Sequence, residues 1–402
     1  MTSPGVVRVL RGDVVESSHQ VHVVAIQRDR RRVAIGEAER WTYYRSASKP
    51  FQALALVEDR VLEAFGLGSE ELALACASHS SEAEHLRLAR GMLEAIGVGE
   101  DELACGGHWP LRESAAIRFL EEGRVPGPVD SNCSGKHAGM LGLARVHGWG
   151  VEGYERPEHP VQERMRQITS AWTGMQSSRL REGVDGCGVV CFAVPLARMA
   201  GSFAQLAQEA RAGGAAAEVC RAMMQHPFLV AGTDRLCTDL MAAAPGIVAK
   251  VGAEGVYGVA IPEEGLGLAI KVEDGGWRAV DAALASVLSR MGLLTEAAGR
   301  ELRGYLEPAV RNTRGEVVGS LEVEWPDRVV GASSRRLGTR VGRRWRPLKD
   351  RSGAGPPSPA WTRGSEPWCG SPQRSPSAPT PTSPRSWTMP WPRPIPSRSR
   401  RP

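Results

Sequence analysis

The sequence predicts an α+β fold: a mostly antiparallel sheet flanked by helices, with a helical region between the strands at the two ends of the chain. Three observations predict it. Branched apolar runs of strand length stand early, at His22–Ile26 and Arg32–Gly36. Similar runs return late, at Val256–Ile261, Leu266–Val272 and Val317–Val323. Between them, apolar residues recur at helical spacing over long stretches. Strands at both ends with helices between them are the pattern of a layer in which one sheet is closed by the termini.

From Ser46 the pattern turns helical, with Phe51, Leu54, Val57, Val61 and Leu62 on one stripe. A second helix is expected from Glu82 to Ile96, opened by Ser81 and Glu84 at the spacing of a capping box. Further helices are expected near Lys136–Val146, Pro160–Trp172, Leu196–Arg211, Ala215–Gln225, Thr233–Ala244 and Val280–Arg290. Short strands are expected at Val189–Val194 and Ile247–Lys250. No internal repeat is visible.

The charge divides the chain into two unlike parts. From Ala332 to Pro402 there are 15 basic residues against 2 acidic, a net of +13, whereas the preceding 331 residues carry a net of −8. Residues 1–331 therefore read as one catalytic domain, mildly acidic and without a nucleic-acid footprint. Fifteen of the 28 prolines fall in 332–402, so this Arg/Pro/Ser-rich tail is expected to be disordered. A shifted reading frame of a GC-rich gene would give the same composition. The eight cysteines form no CxxC pair or dense framework. With no signal-peptide core and no run of about 20 apolar residues, the expectation is a cytoplasmic protein that avoids both membrane and nucleic acid.

Five motifs carry candidate chemistry. In Ser46-Ala-Ser-Lys49-Pro, serine and lysine three apart at a helix start share a face, so the amine can act as base to the hydroxyl. Cys76-Ala-Ser78-His79 precedes a helix, where a turn exposes a serine and the helix N-terminus favours an anion. Asp130-Ser-Asn-Cys133-Ser-Gly-Lys136-His137 looks superficially like a phosphate loop, but Asp130 and His137 break that pattern. Asp185-Gly-Cys187-Gly allows a tight backbone beside a ligand. Lys250-Val-Gly-Ala-Glu-Gly, a strand-borne lysine with glycine beyond it, is similar to the KTG element of penicillin-recognising enzymes. Each motif also has a structural reading: helix caps, solvated lysines, buried thiols. There is no HExxH and no histidine cluster, which disfavours a metal-driven hydrolase. His79, His85 and His108 read as local hydrogen-bonders.

Taken together and in this order, the motifs resemble the rhizobial-type L-asparaginases, also called class 3 or asparaginase II. The resemblance runs from about Val6 to Val323. It implies a serine β-lactamase/glutaminase-like fold, usually homodimeric, acting on the small molecule L-asparagine. It implies two serine–lysine pairs, Ser46 with Lys49 and Ser78 with Lys250. It places Arg45, His137 and Asp185 around the substrate, where Asp185 would receive an α-ammonium and Arg45 a carboxylate. It also implies a metal site, usually zinc and not essential for the chemistry, on Cys133, Lys136 and Cys187. Amide hydrolysis needs a nucleophile, a proton acceptor and oxyanion donors, and serine–lysine pairs supply the first two. Two other readings stand beside L-asparagine hydrolysis. One is a serine–lysine hydrolase of glutamine or another amide, and the other a non-catalytic relic that binds amino acids.

Overall fold

The computed structural model describes residues 2–326; the expected boundary at 331 and the tail 332–402 lie outside the described residues. Eleven strands are present among the described residues. In chain order they are β1 (Gly5–Arg11), β2 (Val14–Gln27), β3 (Arg30–Ile35), β4 (Trp41–Tyr43), β5 (Arg181–Val184), β6 (Val190–Pro195), β7 (Val248–Gly252), β8 (Val256–Ile261), β9 (Leu266–Val272), β10 (Ala309–Arg311) and β11 (Val317–Glu324). The main sheet runs β10-β11-β1-β2-β9-β8-β7, with β3 also pairing β2. Its pairs are all antiparallel, and β1 lies against β11 with Val6 opposite Glu324. The two ends of the described chain thus share one ladder, as the sequence predicts.

Strand β2 does two jobs. Its first half pairs with β1, and its second half runs between β9 and β3. Burial follows: the first half is largely exposed, whereas Val21–Ala25 is buried. Strand β1 escapes a reading by apolar runs because it alternates. Val7 and Val9 face the core and Arg8 is half-buried.

Strands β8 and β9 are buried almost throughout, which explains their unbroken apolar runs. The Leu196–Ala212 helix lies directly on them because glycines remove the obstacle. A Cβ at Gly267 would fall 1.9 Å from the Ala204 nitrogen, and one at Gly258 would fall 2.0 Å from the Phe203 ring. The Trp277–Arg290 helix also packs on this sheet, contacting β1, β8, β9 and β11. A separate small sheet, β4-β6-β5, supports the turn before Arg45.

The stripe after Ser46 is not one helix. Arg45–Ser48 is a 3-10 turn, Lys49–Glu58 is α-helical with Pro50 in its first turn, and Arg60 in left-handed geometry (φ 58°) separates a short Val61–Phe65 helix. An aromatic cluster fixes this segment from behind. Phe51 meets Phe203 edge-on with ring centroids 5.0 Å apart, and Tyr44 and Trp172 flank it. Each such pair is worth about 0.5–1.5 kcal/mol beyond its area. The buried Tyr44 hydroxyl is paired with Ser202 Oγ at 2.6 Å.

Two expectations about the second motif need correction. Ser78 follows the Ser69–Ala75 helix, and it is buried rather than exposed by its turn. The helix after it runs Ala83–Ile96, and its cap is not Ser81 with Glu84. The Glu82 N–H donates to His85 Nδ1, while Ser81, at φ 55°, donates its hydroxyl to the Asp130 carbonyl. The polar hydrogen bond that ties Ser81 to the third motif outcompetes local capping.

Candidate active site

The five motifs meet at one place. The 3-10 turn carrying Arg45 and Ser46 lies against the end of β7, where a Cβ at Gly252 would sit 2.7 Å from the Tyr44 carbonyl oxygen. Side chains two apart on a strand share a face, so Lys250 points the same way as that glycine. The Ser134–Val146 helix, whose N-cap is Cys133, approaches the Ser69–Ala75 helix through Gly135, where a Cβ would lie 2.5 Å from the Leu74 carbonyl oxygen. Asp185 and Cys187 occupy the turn between β5 and β6. That turn closes through Gly188 N–H donating to the Asp185 carbonyl at 2.9 Å, with Gly188 at φ 93°, a conformation glycine favours.

Ser78 is the centre of the arrangement. Lys250 Nζ lies 2.8 Å from its hydroxyl and Lys49 Nζ 3.2 Å from it. All three are enclosed, with Ser78 4% exposed, Lys49 1% and Lys250 0%. Lys49 also donates to the Ala77 carbonyl and lies 3.2 Å from Cys133 Sγ. It makes no hydrogen bond to Ser46, and among the described residues the half-buried Ser46 hydroxyl has no protein partner. The expected Ser46–Lys49 contact is thus replaced by one in which both lysines reach Ser78. Burial, and then the charge of Lys49, push the Lys250 amine down to about 7, where a base is available at neutral pH.

A second group lies beside it. Lys136 Nζ is 2.9 Å from Cys187 Sγ, and Cys133 Sγ is 2.8 Å from Asn132 Oδ1. A hydrogen bond from Cys187, helped by the charges of Lys49 and Lys136, holds the Cys133 thiol well below its usual range; sharing that proton pushes Cys187 up. Burial opposes the Lys136 ammonium, but the Cys187 and Cys133 sulfurs outweigh it and raise Lys136. Arg45, in left-handed geometry (φ 48°), donates Nε to Asp185 Oδ1 at 2.8 Å, and Gly186 N–H donates to the same oxygen at 2.7 Å. Burial would raise the Asp185 carboxyl, yet Lys136 and Arg45 hold it below its ordinary range. Asp185 is therefore already matched by cations within the chain.

His137 is fully buried, 2.5 Å by Nδ1 from the Tyr154 hydroxyl, and its Nε2 has no partner among the described residues. Burial, and then Lys136 and Lys49, push its imidazole well below the usual range, so it stays neutral. His79, His85 and His108 are local hydrogen-bonders, His79 to Ser134 Oγ, His85 to the Phe228 carbonyl, and His108 to the Asn132 N–H.

Two sulfurs and an amine gathered at Cys133, Lys136 and Cys187 are a donor set that suits zinc, provided the lysine gives up its proton. Among the described residues no three His, Cys, Asp or Glu side chains gather to hold a metal ion, so a metal here depends on Lys136 as third ligand.

Sequence reasoning missed Arg235 and Tyr154, which belong to no spacing pattern and come to the site through packing; Asn132 lies inside the third motif but carried no role there.

The L-asparaginase II family model matches residues 7–323. The chain belongs to this family. The five motifs of this asparaginase II chain all fall inside the matched region, and the family is one of amidohydrolases. No curated protein matches the sequence. Among solved structures the chain is similar to Mglu, with 17% identity, 68% of this chain and 61% of Mglu covered, and a TM-score of 0.33. It is also similar to a beta-lactamase-like protein from Bacteroides dorei DSM 17855, with 13% identity, coverage of 72% and 94%, and a TM-score of 0.35. The match thus spans about three-fifths of the Mglu chain.

Proposed function

We propose that this asparaginase II chain hydrolyses L-asparagine to L-aspartate and ammonia by serine–lysine catalysis. The observation that carries the reading is the Ser78 hydroxyl held between two buried lysine amines, one of them tuned to about 7. A neutral Lys250 can take the Ser78 hydroxyl proton, while Lys49 donates a hydrogen bond to the same oxygen. Attack of a serine oxygen on the side-chain carbonyl carbon forms a tetrahedral centre. Its collapse breaks the C–N bond, and the proton held at Lys250 leaves with ammonia. Water then cleaves the ester and releases aspartate. Ser78 is the hydroxyl in contact with the base, so the geometry favours direct attack by Ser78, while the more accessible Ser46 hydroxyl makes no hydrogen bond to Ser78 or to either lysine.

Around this centre, Arg45 offers its remaining guanidinium face to the α-carboxylate, and the unpaired Nε2 of His137 is available to a substrate polar group. Zinc on Cys133, Lys136 and Cys187 would supply a Lewis-acidic position and bind the third and fourth motifs together, without entering the serine–lysine steps. The seven described cysteines are all free, in keeping with a cytoplasmic setting. No helix among the described residues is long and apolar enough to cross a membrane. A homodimer completes the reading by resemblance.

The test is ammonia release from L-asparagine and L-glutamine by the wild type, Ser46→Ala and Ser78→Ala, each with and without a chelator. Each substitution is expected to lower kcat by roughly 10²–10⁴-fold with the fold intact. Mass spectrometry of the trapped ester then identifies the attacking serine. Full turnover in both variants would sink the serine mechanism, and faster turnover of glutamine would reassign the substrate. Loss of all activity on chelation would overturn the spectator role of the metal.

A further inference from the structure

The Ser78 turn is laced, residue by residue, to a segment that no motif includes. Ser78 N–H donates to the Val230 carbonyl at 2.9 Å, and Ser80 Oγ donates to the Ala231 carbonyl at 3.0 Å. Thr233 donates its N–H and its hydroxyl to the two oxygens of Glu82, at 2.9 and 2.7 Å. Gly232, at φ 110°, lies so close that a Cβ there would meet Glu82 Oε1 at 2.4 Å and Ser80 Oγ at 3.1 Å. Arg235 ends this lacing. Its Nη1 donates to the Ser80 hydroxyl at 3.3 Å and to the Ser78 carbonyl at 3.5 Å. Ser78 therefore has Lys49 and Lys250 at its hydroxyl and Arg235 at its carbonyl, three basic side chains on one residue.

We propose that Arg235 is a positioning residue of this site, fixing the Ser78 turn by its two hydrogen bonds and holding a permanent positive charge beside the serine–lysine centre. The inference rests on the serine–lysine reading above. A guanidinium keeps its charge throughout the working pH range, so it is a constant field, unlike the lysines. Positive charge beside an amine disfavours the ammonium form. The other groups that face Lys250 are Lys49, which acts in the same direction, and Cys237 and Cys133, which act against it. Cys76 lies within reach as well, and burial pushes its thiol up to about 12, so it stays neutral. Arg235 itself faces Asp281 of the Trp277–Arg290 helix, whose carboxyl burial pushes up to about 6, leaving it only partly charged near neutrality.

The experiment compares wild type, Arg235→Gln and Arg235→Lys, with folding checked by circular dichroism. The Lys250 midpoint is read directly from ε-¹³C-lysine NMR, assigned with Lys250→Arg, and the pH profile of kcat/KM for L-asparagine is measured alongside. In Arg235→Gln the Lys250 midpoint and the acid limb of the profile are expected to move to higher pH by about half a unit or more. At pH 7, kcat is expected to fall by tenfold or more, with KM within about threefold. Arg235→Lys, which keeps the charge but not the fork, should leave the midpoint in place while lowering kcat. An unmoved midpoint in folded Arg235→Gln would overturn the proposal, as would a midpoint in Arg235→Lys that shifts as it does in Arg235→Gln. Should Arg235→Gln fail to fold, Arg235→Lys alone decides, because a shifted midpoint there contradicts a role of charge. The NMR midpoint needs no substrate, so an enzyme inactive on asparagine would sink the substrate reading and leave this test standing.

Discussion

At the scale of single residues, the site works by placing like charges close together in a space without water. Lys250 and Lys49 both reach Ser78, and two ammonium groups there would repel each other at low effective dielectric. Cys133 sulfur lies 3.2 Å from Lys49, while Lys250 hydrogen-bonds Ser78 and the Val251 carbonyl. Burial and the neighbouring Lys49 leave Lys250 the amine that can act as a base near neutral pH. The acid limb of kcat/KM is therefore expected near pH 7: below it Lys250 is protonated and cannot accept the serine proton, and above it activity rises to a plateau. Lys250→Arg, which stays charged, should be nearly inactive across that whole range while keeping the wild-type far-ultraviolet circular dichroism. A pH–rate profile with its limb near 4 would instead point to a carboxylate base.

Secondary-structure elements set the distances through their glycines. Gly252 lets β7 touch the Tyr44–Ser46 segment, Gly135 lets the Cys133 helix close on the helix before Ser78, and Gly267 seats the Leu196–Ala212 helix on the sheet. Of these, Gly267 seats the helix that carries Phe203, which backs Phe51 and through it the Lys49 helix. Gly267→Val is expected to destabilise the protein by about 1–3 kcal/mol or more, because its side chain collides with helix backbone that cannot yield locally. A urea denaturation curve measures this, and a midpoint equal to the wild type would show that the helix can slide away. Three left-handed residues lie in the site segments: Arg45 is paired with Asp185, Ser81 is bonded to the Asp130 carbonyl, and the exposed Glu254 faces Arg45.

For the whole molecule, the decisive contact is between its ends. β1 has two neighbours, β2 and β11, and β11 comes from residues 317–324. A chain stopped at residue 331 keeps every described contact, and its ammonia release is expected to match that of the full chain. A chain stopped before Val317 loses β11, exposes an edge of β1 and removes the packing between β11 and the Trp277–Arg290 helix. It is expected to aggregate on size-exclusion chromatography, since an unpaired strand edge invites intermolecular pairing. Equal behaviour of the two truncations would show that β11 contributes little to the fold.

The sequence by itself determined the chemical inventory and most of the elements. Helical and strand periodicities are local, so β8, β9 and the Leu196–Ala212 and Pro160–Thr173 helices could be read within a residue or two. The five motifs could be read for the same reason, because each keeps its residues within one short segment. The tertiary structure alone decided which partner each side chain takes. Lys49 shares a helical face with Ser46 by spacing, but the helix is seated so that its amine reaches Ser78 and Cys133, residues 29 and 84 positions away. Arg235 carries no local signal, and Ser81 gave up the capping role its spacing suggested for a bond to Asp130, 49 positions away. Spacing fixes direction along one element, while the distance between elements depends on how closely their backbones can approach. Here that approach is governed by a few glycines whose neighbours lie far off in sequence.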